Sequence, residues 1–396
     1  MPQPPKQRDL RLDFFRGIGM FIILIAHITS NPWTLWIPAR FGFSDATEMF
    51  VFCSGMASAL AFGAVFARAG WMLGTVRIMH RLWQVYWVHL GVFFVTLVLM
   101  FGLNLTGMFP RDEVGALNLY PFVNNTGPNL IGLFTLTYVP NYFDILPMYL
   151  VILALIPVMM GLARVDVRLA LAASVMLWVA ATAGLNLPAE MWFTKPSDRT
   201  WFFNPFAWQL VFFTGFAFMA GWLPAPPVRR GLVWLAVGIV LLSVPFAWGK
   251  IITRIGMIRE IRRSAAPLIN KTDFGILRFV HFLALAYLAW VAVGPDGVRL
   301  RQAGWIGEII ALICRVGQQS LAVFAASMVL ARVLGAVLSL GGGGPLAALS
   351  VNLTGFALII AVAKIAAYFK GQPWKSVATR APVAVPDPAR TAGVRP

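Results

Sequence analysis

The sequence predicts an all-α fold: a polytopic integral membrane bundle of about ten transmembrane helices. Three observations predict it. Of 396 residues, 59% are hydrophobic and 12% charged, against roughly 25% charged residues in soluble domains. Mean hydropathy is +0.76. The apolar residues also come in runs long enough to cross a hydrocarbon layer of about 30 Å, where a helix satisfies its own backbone polar groups.

The expected spans are 14–30, 46–67, 78–104, 142–163, 167–187, 204–223, 230–248, 273–293, 306–340 and 345–369. The ninth is too long for one straight crossing. It carries Arg315, Gln318, Gln319 and Ser320, so a lead-in helix or a break near Gly317 is expected. Residues 1–370 thus form one transmembrane domain. The segment 371–396, rich in Pro, Ala and Arg without periodicity, reads as a disordered cytoplasmic tail. The first apolar run has a basic flank but no small-x-small cleavage site, and is expected to stay as a span rather than be removed as a signal peptide.

The formal net charge is +17, from 32 Lys and Arg against 15 Asp and Glu. The placement of these charges fits membrane orientation and anionic head groups, and no nucleic-acid role is expected. With the N-terminus inside, Lys6, Arg8, Arg11, Arg68, Arg77, Arg164, Arg168, Arg229, Arg230, Arg299, Arg301, Lys370, Lys375 and Arg380 are cytoplasmic. The outer loops carry fewer: Arg40, Arg111, Lys195 and Arg199. An even number of spans returns the C-terminus to the cytoplasm. Residues 249–272 break the rule, since they should be outside yet hold Lys250, Arg254, Arg259, Arg262, Arg263 and Lys271. A miscounted span, an amphipathic interfacial segment, or a basic loop that attracts an anionic substrate would each account for them. Cys53 and Cys314 both fall in apolar runs, which argues against a disulfide framework or a metal site.

Ionisable side chains inside spans are costly and mark candidate functional sites. On the first helix Arg16 and His27 are about three turns apart, on one face, separated by roughly 16 Å along the axis. His27 suits general-base work near neutral pH, and a polar core residue is the alternative. Arg16 suits an interfacial anchor as well as a ligand contact. Asp45 and Glu48 open the second helix with capping-box spacing. They are also placed to orient His27 and stabilise its protonated form, because a short loop joins the two helices. Arg77, His80 and Arg81 share one face at the start of the third helix, as an anchor or as a phosphate-binding cluster. Asp144, Asn204 and Gln209, and Arg278 with His281, put polar groups from later helices at one depth. Capping explains Asp144 and Asn204 singly; a shared hydrated cavity explains the set. No His, Cys and carboxylate cluster has metal-ligand spacing, and no metal is expected.

The stretches RDLRLDFFRG with His27, GFSDATEMFVFCSG, FDILPMYL, FNPFAWQLVFFTG, KTDFGILRFVHFLALAY and VGQQSLAVF carry a family likeness from about residue 8 to 330. In them the chain resembles the OpgC family, the succinyltransferases of osmoregulated periplasmic glucans, within the wider superfamily of transmembrane acyltransferases. The Arg16–His27 arrangement is similar to the first-helix motif of that superfamily. The resemblance implies a catalytic role for His27 and importance for Arg16. The superfamily's third-helix arginine pair is written R-x-x-R, whereas Arg77 and Arg81 stand one residue further apart.

The resemblance implies a bacterial inner-membrane O-acyltransferase with no permanently bound cofactor. Its co-substrate would be a cytoplasmic acyl-CoA such as succinyl-CoA. Its acceptor would be a glucose hydroxyl of a periplasmic glucan, and membrane lipid its other partner. Arg16, Arg77 and Arg81 would hold the donor's phosphates and His27 would deprotonate the acceptor, either directly or with a transient acyl-histidine. Asp45 or Glu48 would set the tautomer of His27. Asp144, Asn204, Gln209, Arg278 and His281 take no role from the resemblance and stand, by position, as acceptor or cavity polar groups. The alternative from another class is a secondary transporter or flippase for an anionic glycan or lipid, which should show a two-halves repeat and discontinuous helices near the midplane.

Overall fold

The computed structural model describes residues 9–109, 111–190 and 198–374. Among them no strand forms, apart from one isolated bridge between Pro188 and Thr200. The principal helices are α1 (Leu10–His27), α2 (Ala46–Ser58), α3 (Ala64–Leu105), α4 (Ile145–Val165), α5 (Val167–Thr182), α6 (Pro205–Met219), α7 (Arg230–Ala247), α8 (Ile276–Val293), α9 (Gly304–Gln318), α10 (Ser320–Leu340) and α11 (Pro345–Lys370). Lys6, Arg8, Lys195, Lys375 and Arg380 lie outside the described residues, as does the expected tail beyond Trp374.

Six helical stretches are long and apolar enough to cross a membrane, the first of them running without a loop from Ala46 to Leu105. Large apolar side chains project outward from these helices; Leu105, Trp234, Leu242 and Val98 are all at least 70% exposed. Water would not tolerate such a surface and lipid would. The chain is a multi-pass membrane protein.

Two expectations change in detail and one, the break in the ninth span, holds. The second and third spans are not separated by a loop over 68–77: a π-helical turn, Ala59–Gly63, leads straight into α3. Only Gly70 leaves helical geometry, at φ 80 and ψ 176, a conformation open to glycine for want of a Cβ. Beyond it the helix runs on to Leu105 for roughly 52 Å, well over the thickness of a hydrocarbon core. Its first turns, with Arg77, His80 and Arg81, therefore reach past the apolar layer. The ninth span does break, at Gln319 between α9 and α10. The basic stretch 249–272 is not a plain loop. It forms three short helices, Gly249–Arg254, Gly256–Ser264 and Ala266–Ile269, between α7 and α8.

Two close crossings fix the interior. At α1/α9, a Cβ on Gly17 would overlap the carbonyl of Ile313, and one on Gly317 would overlap that of Asp13. At α2/α6, Gly55 lies against the carbonyl of Phe212 and Gly215 against that of Phe52. Small residues let backbones approach, so that dispersion and weak hydrogen bonds hold helices together where lipid provides no hydrophobic drive. These crossings set the position of α1, which carries both Arg16 and His27.

Candidate functional site

His27 is the last residue of α1. Its ring Nδ1 lies 2.7 Å from the carbonyl oxygen of Ile23, one turn back. A carbonyl only accepts, so Nδ1 carries the proton and Nε2 keeps its lone pair. No hydrogen bond engages Nε2 among the described residues. The edge of the imidazole meets the Tyr142 ring, with centroids 5.4 Å apart. Tyr142 is held at φ 86, in the left-handed region that bulky residues avoid. Its hydroxyl donates to the carbonyl of Met328 on α10 at 2.5 Å. The Arg332 guanidinium lies 5.7 Å from its ring centroid. Arg332 is itself buried; it pairs with buried Glu113 at 2.5 Å and donates to Thr29 Oγ1 at 2.9 Å. Thus α10, the Glu113 turn and the segment after α1 are tied together beside His27. Glu113, Tyr142 and Arg332 are absent from the sequence-based set. Arg332 carried a usable signal, since a guanidinium deep in an apolar run needs a partner.

The carboxylates of α2 are engaged elsewhere. Asp45 and Glu48 form the expected capping box: Asp45 accepts from Thr47 N at 2.7 Å, and Glu48 Oε2 accepts from Asp45 N at 2.8 Å. Asp45 also pairs with Lys271 at 2.6 Å, and Arg278 lies 3.6 Å from it. Glu48 Oε1 takes both Nε, at 2.8 Å, and Nη2 of Arg278. In the structure the Ile23 carbonyl holds Nδ1 of His27, while Lys271 and Arg278 hold the two carboxylates. Burial works to raise the Asp45 carboxyl, but Lys271 and Arg278 outweigh it and keep it well below the usual range.

His281 shares a face of α8 with Arg278 but serves the loop before α2. Its Nδ1 accepts from the Ser44 amide at 3.2 Å and lies 2.8 Å from Ser44 Oγ, while its ring packs on Gly42 where no Cβ would fit. Asn204 and Gln209 do not line an open cavity. Asn204 caps α6 through the Phe206 amide and donates to Leu185 O and Asp273 Oδ1. Gln209 exchanges two hydrogen bonds of 2.7 Å with Ser174 on α5 and also donates to Phe206 O. Both are fully buried with their polar atoms used, so they latch helices together. Asp144 differs: it is buried and makes no capping hydrogen bond, and its Oδ1 has no partner. Burial raises its carboxyl to about 6, with Arg199 opposing.

At the other end of α1, Arg16 Nη2 donates to Ser320 Oγ, at the break between α9 and α10. Its Nε is buried without a hydrogen-bond partner. One turn earlier, buried Asp13 accepts from Gln318 Nε2 at 3.1 Å. Arg81 bonds Gln84 at 3.1 Å, which in turn meets His80 at 3.1 Å, while Arg77 is exposed. The break and Arg16 therefore share one polar region about three turns of helix from His27.

No curated protein and no solved structure matches this chain. The sequence profile of the family described as OpgC protein matches residues 8–371, nearly the whole length, and embraces every side chain described above. The chain belongs to the OpgC protein family.

Proposed function

We propose that this protein is an inner-membrane O-acyltransferase that moves a succinyl or similar acyl group from cytoplasmic acyl-CoA to glucose hydroxyls of osmoregulated periplasmic glucans. Family membership supports the class, and His27 is the observation that carries the chemistry: Nδ1 is fixed to the Ile23 carbonyl, and Nε2 keeps a free lone pair. Nε2 takes the proton of an acceptor hydroxyl as its oxygen attacks the thioester carbonyl. The tetrahedral intermediate collapses, the C–S bond breaks, and the imidazolium returns the proton to the departing CoA thiolate. Arg16 and Arg81, at the opposite end of the crossing, are the cations placed for the donor's phosphates. The donor's extended arm would then bridge the roughly 16 Å to His27.

Mass spectrometry of periplasmic glucans from cells with and without the protein tests this reading. Acyl-substituted glucan should disappear with the protein and return with the wild-type chain. An unchanged glucan mass spectrum would refute it.

The break at Gln319 also suits a secondary transporter, whose sites are built from discontinuous helices. Uptake or efflux of anionic glycan by proteoliposomes, without any acyl donor, would favour that second reading.

A further inference from the structure

Between α7 and α8 the short helices fold around a cleft of about 740 Å³. Arg259, Arg262, Arg263 and Asn270 line it, with Ile252 and Ile269 among its apolar walls. Neither the acyl-transfer chemistry nor the α1 site uses it.

Two features define what the cleft would hold. The first is unbalanced charge. From residue 249 to 272 the chain has six basic side chains and one acidic one, Glu260. Glu260 lies 3.4 Å from Arg263, but both are 70% exposed. Arg259 is exposed and pairs with nothing among the described residues. Arg262 donates to the Phe246 carbonyl near the end of α7. Its pKa is lowered by burial first and then by nearby Arg278. The three guanidiniums converge on one cleft, and phosphate oxygens fit guanidinium donors well.

The second feature is amphipathicity. In Gly256–Ser264, Met257 and Ile261 are one turn apart and exposed, with Arg259, Arg262 and Arg263 on the other side. Ile255, Leu268 and Trp248 in the flanking turns are exposed as well. A short basic amphipathic helix joining two lipid-facing helices lies in the membrane interface, its apolar side among acyl chains and its arginines at head-group level. A soluble sugar acid would need the charge but not the apolar rim.

We propose that this cleft is a binding site for the phosphate of an anionic phospholipid. The three arginines hold the head group, and Ile252 and Ile269 meet its glycerol and upper chain. The site stands apart from the proposed acyl transfer and does not depend on it.

The test uses the full chain in neutral detergent, with short-chain phosphatidylglycerol as probe and phosphatidylcholine as control. Native mass spectrometry and the shift in melting midpoint read binding. The wild type should bind phosphatidylglycerol and be stabilised by it, with a much smaller response to phosphatidylcholine. Arg259→Gln/Arg263→Gln should weaken that binding about ten- to thirty-fold, since each basic group near the surface contributes a similar increment. Arg259→Lys/Arg263→Lys should recover most of it. Both side chains are exposed, so the lipid-free melting midpoint should not move; should the double variant fold poorly, Arg259→Gln alone is read in the same way. Equal phosphatidylglycerol binding by wild type and the Gln variant would overturn the proposal. Equal protection by glycerol phosphate, which lacks acyl chains, or by an anionic oligosaccharide would also overturn it, since the cleft would then be a soluble-anion site.

Discussion

At His27 a backbone carbonyl fixes the tautomer, a task that sequence reasoning gives to a carboxylate. The i−4 carbonyl is always within reach of a histidine closing a helix, and a sequence cannot show that the nearby acids already have partners. Asp45 and Glu48 were legible as a capping box, because that motif is local; their pairing with Lys271 and Arg278 joins residues more than 200 positions apart. The buried Arg332–Glu113 pair leads to a stability prediction. Arg332→Met alone should destabilise by about 3–5 kcal/mol, because Glu113 is left charged and buried. Adding Glu113→Leu should restore much of that loss, which thermal melts of the purified variants would show. Asp144 gives a pH prediction. Its folded pKa of about 6 lies above the ordinary value, so the folded state favours the protonated form. Stability is then greatest below about pH 4 and is lost as pH rises through about 6, by roughly 3 kcal/mol for this group. Asp144→Asn should therefore raise the melting midpoint at pH 7.5 and change it little at pH 4. A uniform change at both pH values would argue against the burial account.

Among the elements, most helices stood where hydropathy placed them, because long apolar runs flanked by basic residues leave few alternatives. The exceptions have physical causes. Arg68, Gly70, Gly74 and Arg77 give 68–77 the composition of a loop, yet α3 runs through it with only Gly70 leaving helical geometry. The break at Gln319 was legible from the polar run Gln318–Ser320, though not its contact with Arg16. Gly17, Gly55, Gly215 and Gly317 could be seen in the sequence, but their pairing across helices could not. Gly55→Val should force α2 and α6 apart and lower the melting midpoint sharply. Gly63→Val, where added atoms meet open space, should not. Comparable losses from both would mean that helix propensity, not the crossing, sets the cost.

Across the whole molecule, the two ends of α1 divide the chemistry into a guanidinium region at Arg16 and an imidazole region at His27. That division suits a donor and an acceptor arriving from opposite sides of a membrane. The proposed function puts Arg16 on the cytoplasmic side, as the basic flank of α1 predicts, and an even number of crossings would put Lys370 there as well. A reporter fused after Lys370 should read cytoplasmic; a periplasmic signal would move one crossing and reverse the roles of the two ends for the later helices. The most direct measurement is acyl transfer by the purified chain in proteoliposomes, with labelled succinyl-CoA and glucan acceptor, comparing wild type with His27→Ala. Transfer by His27→Ala should fall by about 10²–10⁴-fold or more, with donor binding and melting midpoint near those of the wild type. Transfer within a few-fold of the wild type by a folded His27→Ala protein would contradict it.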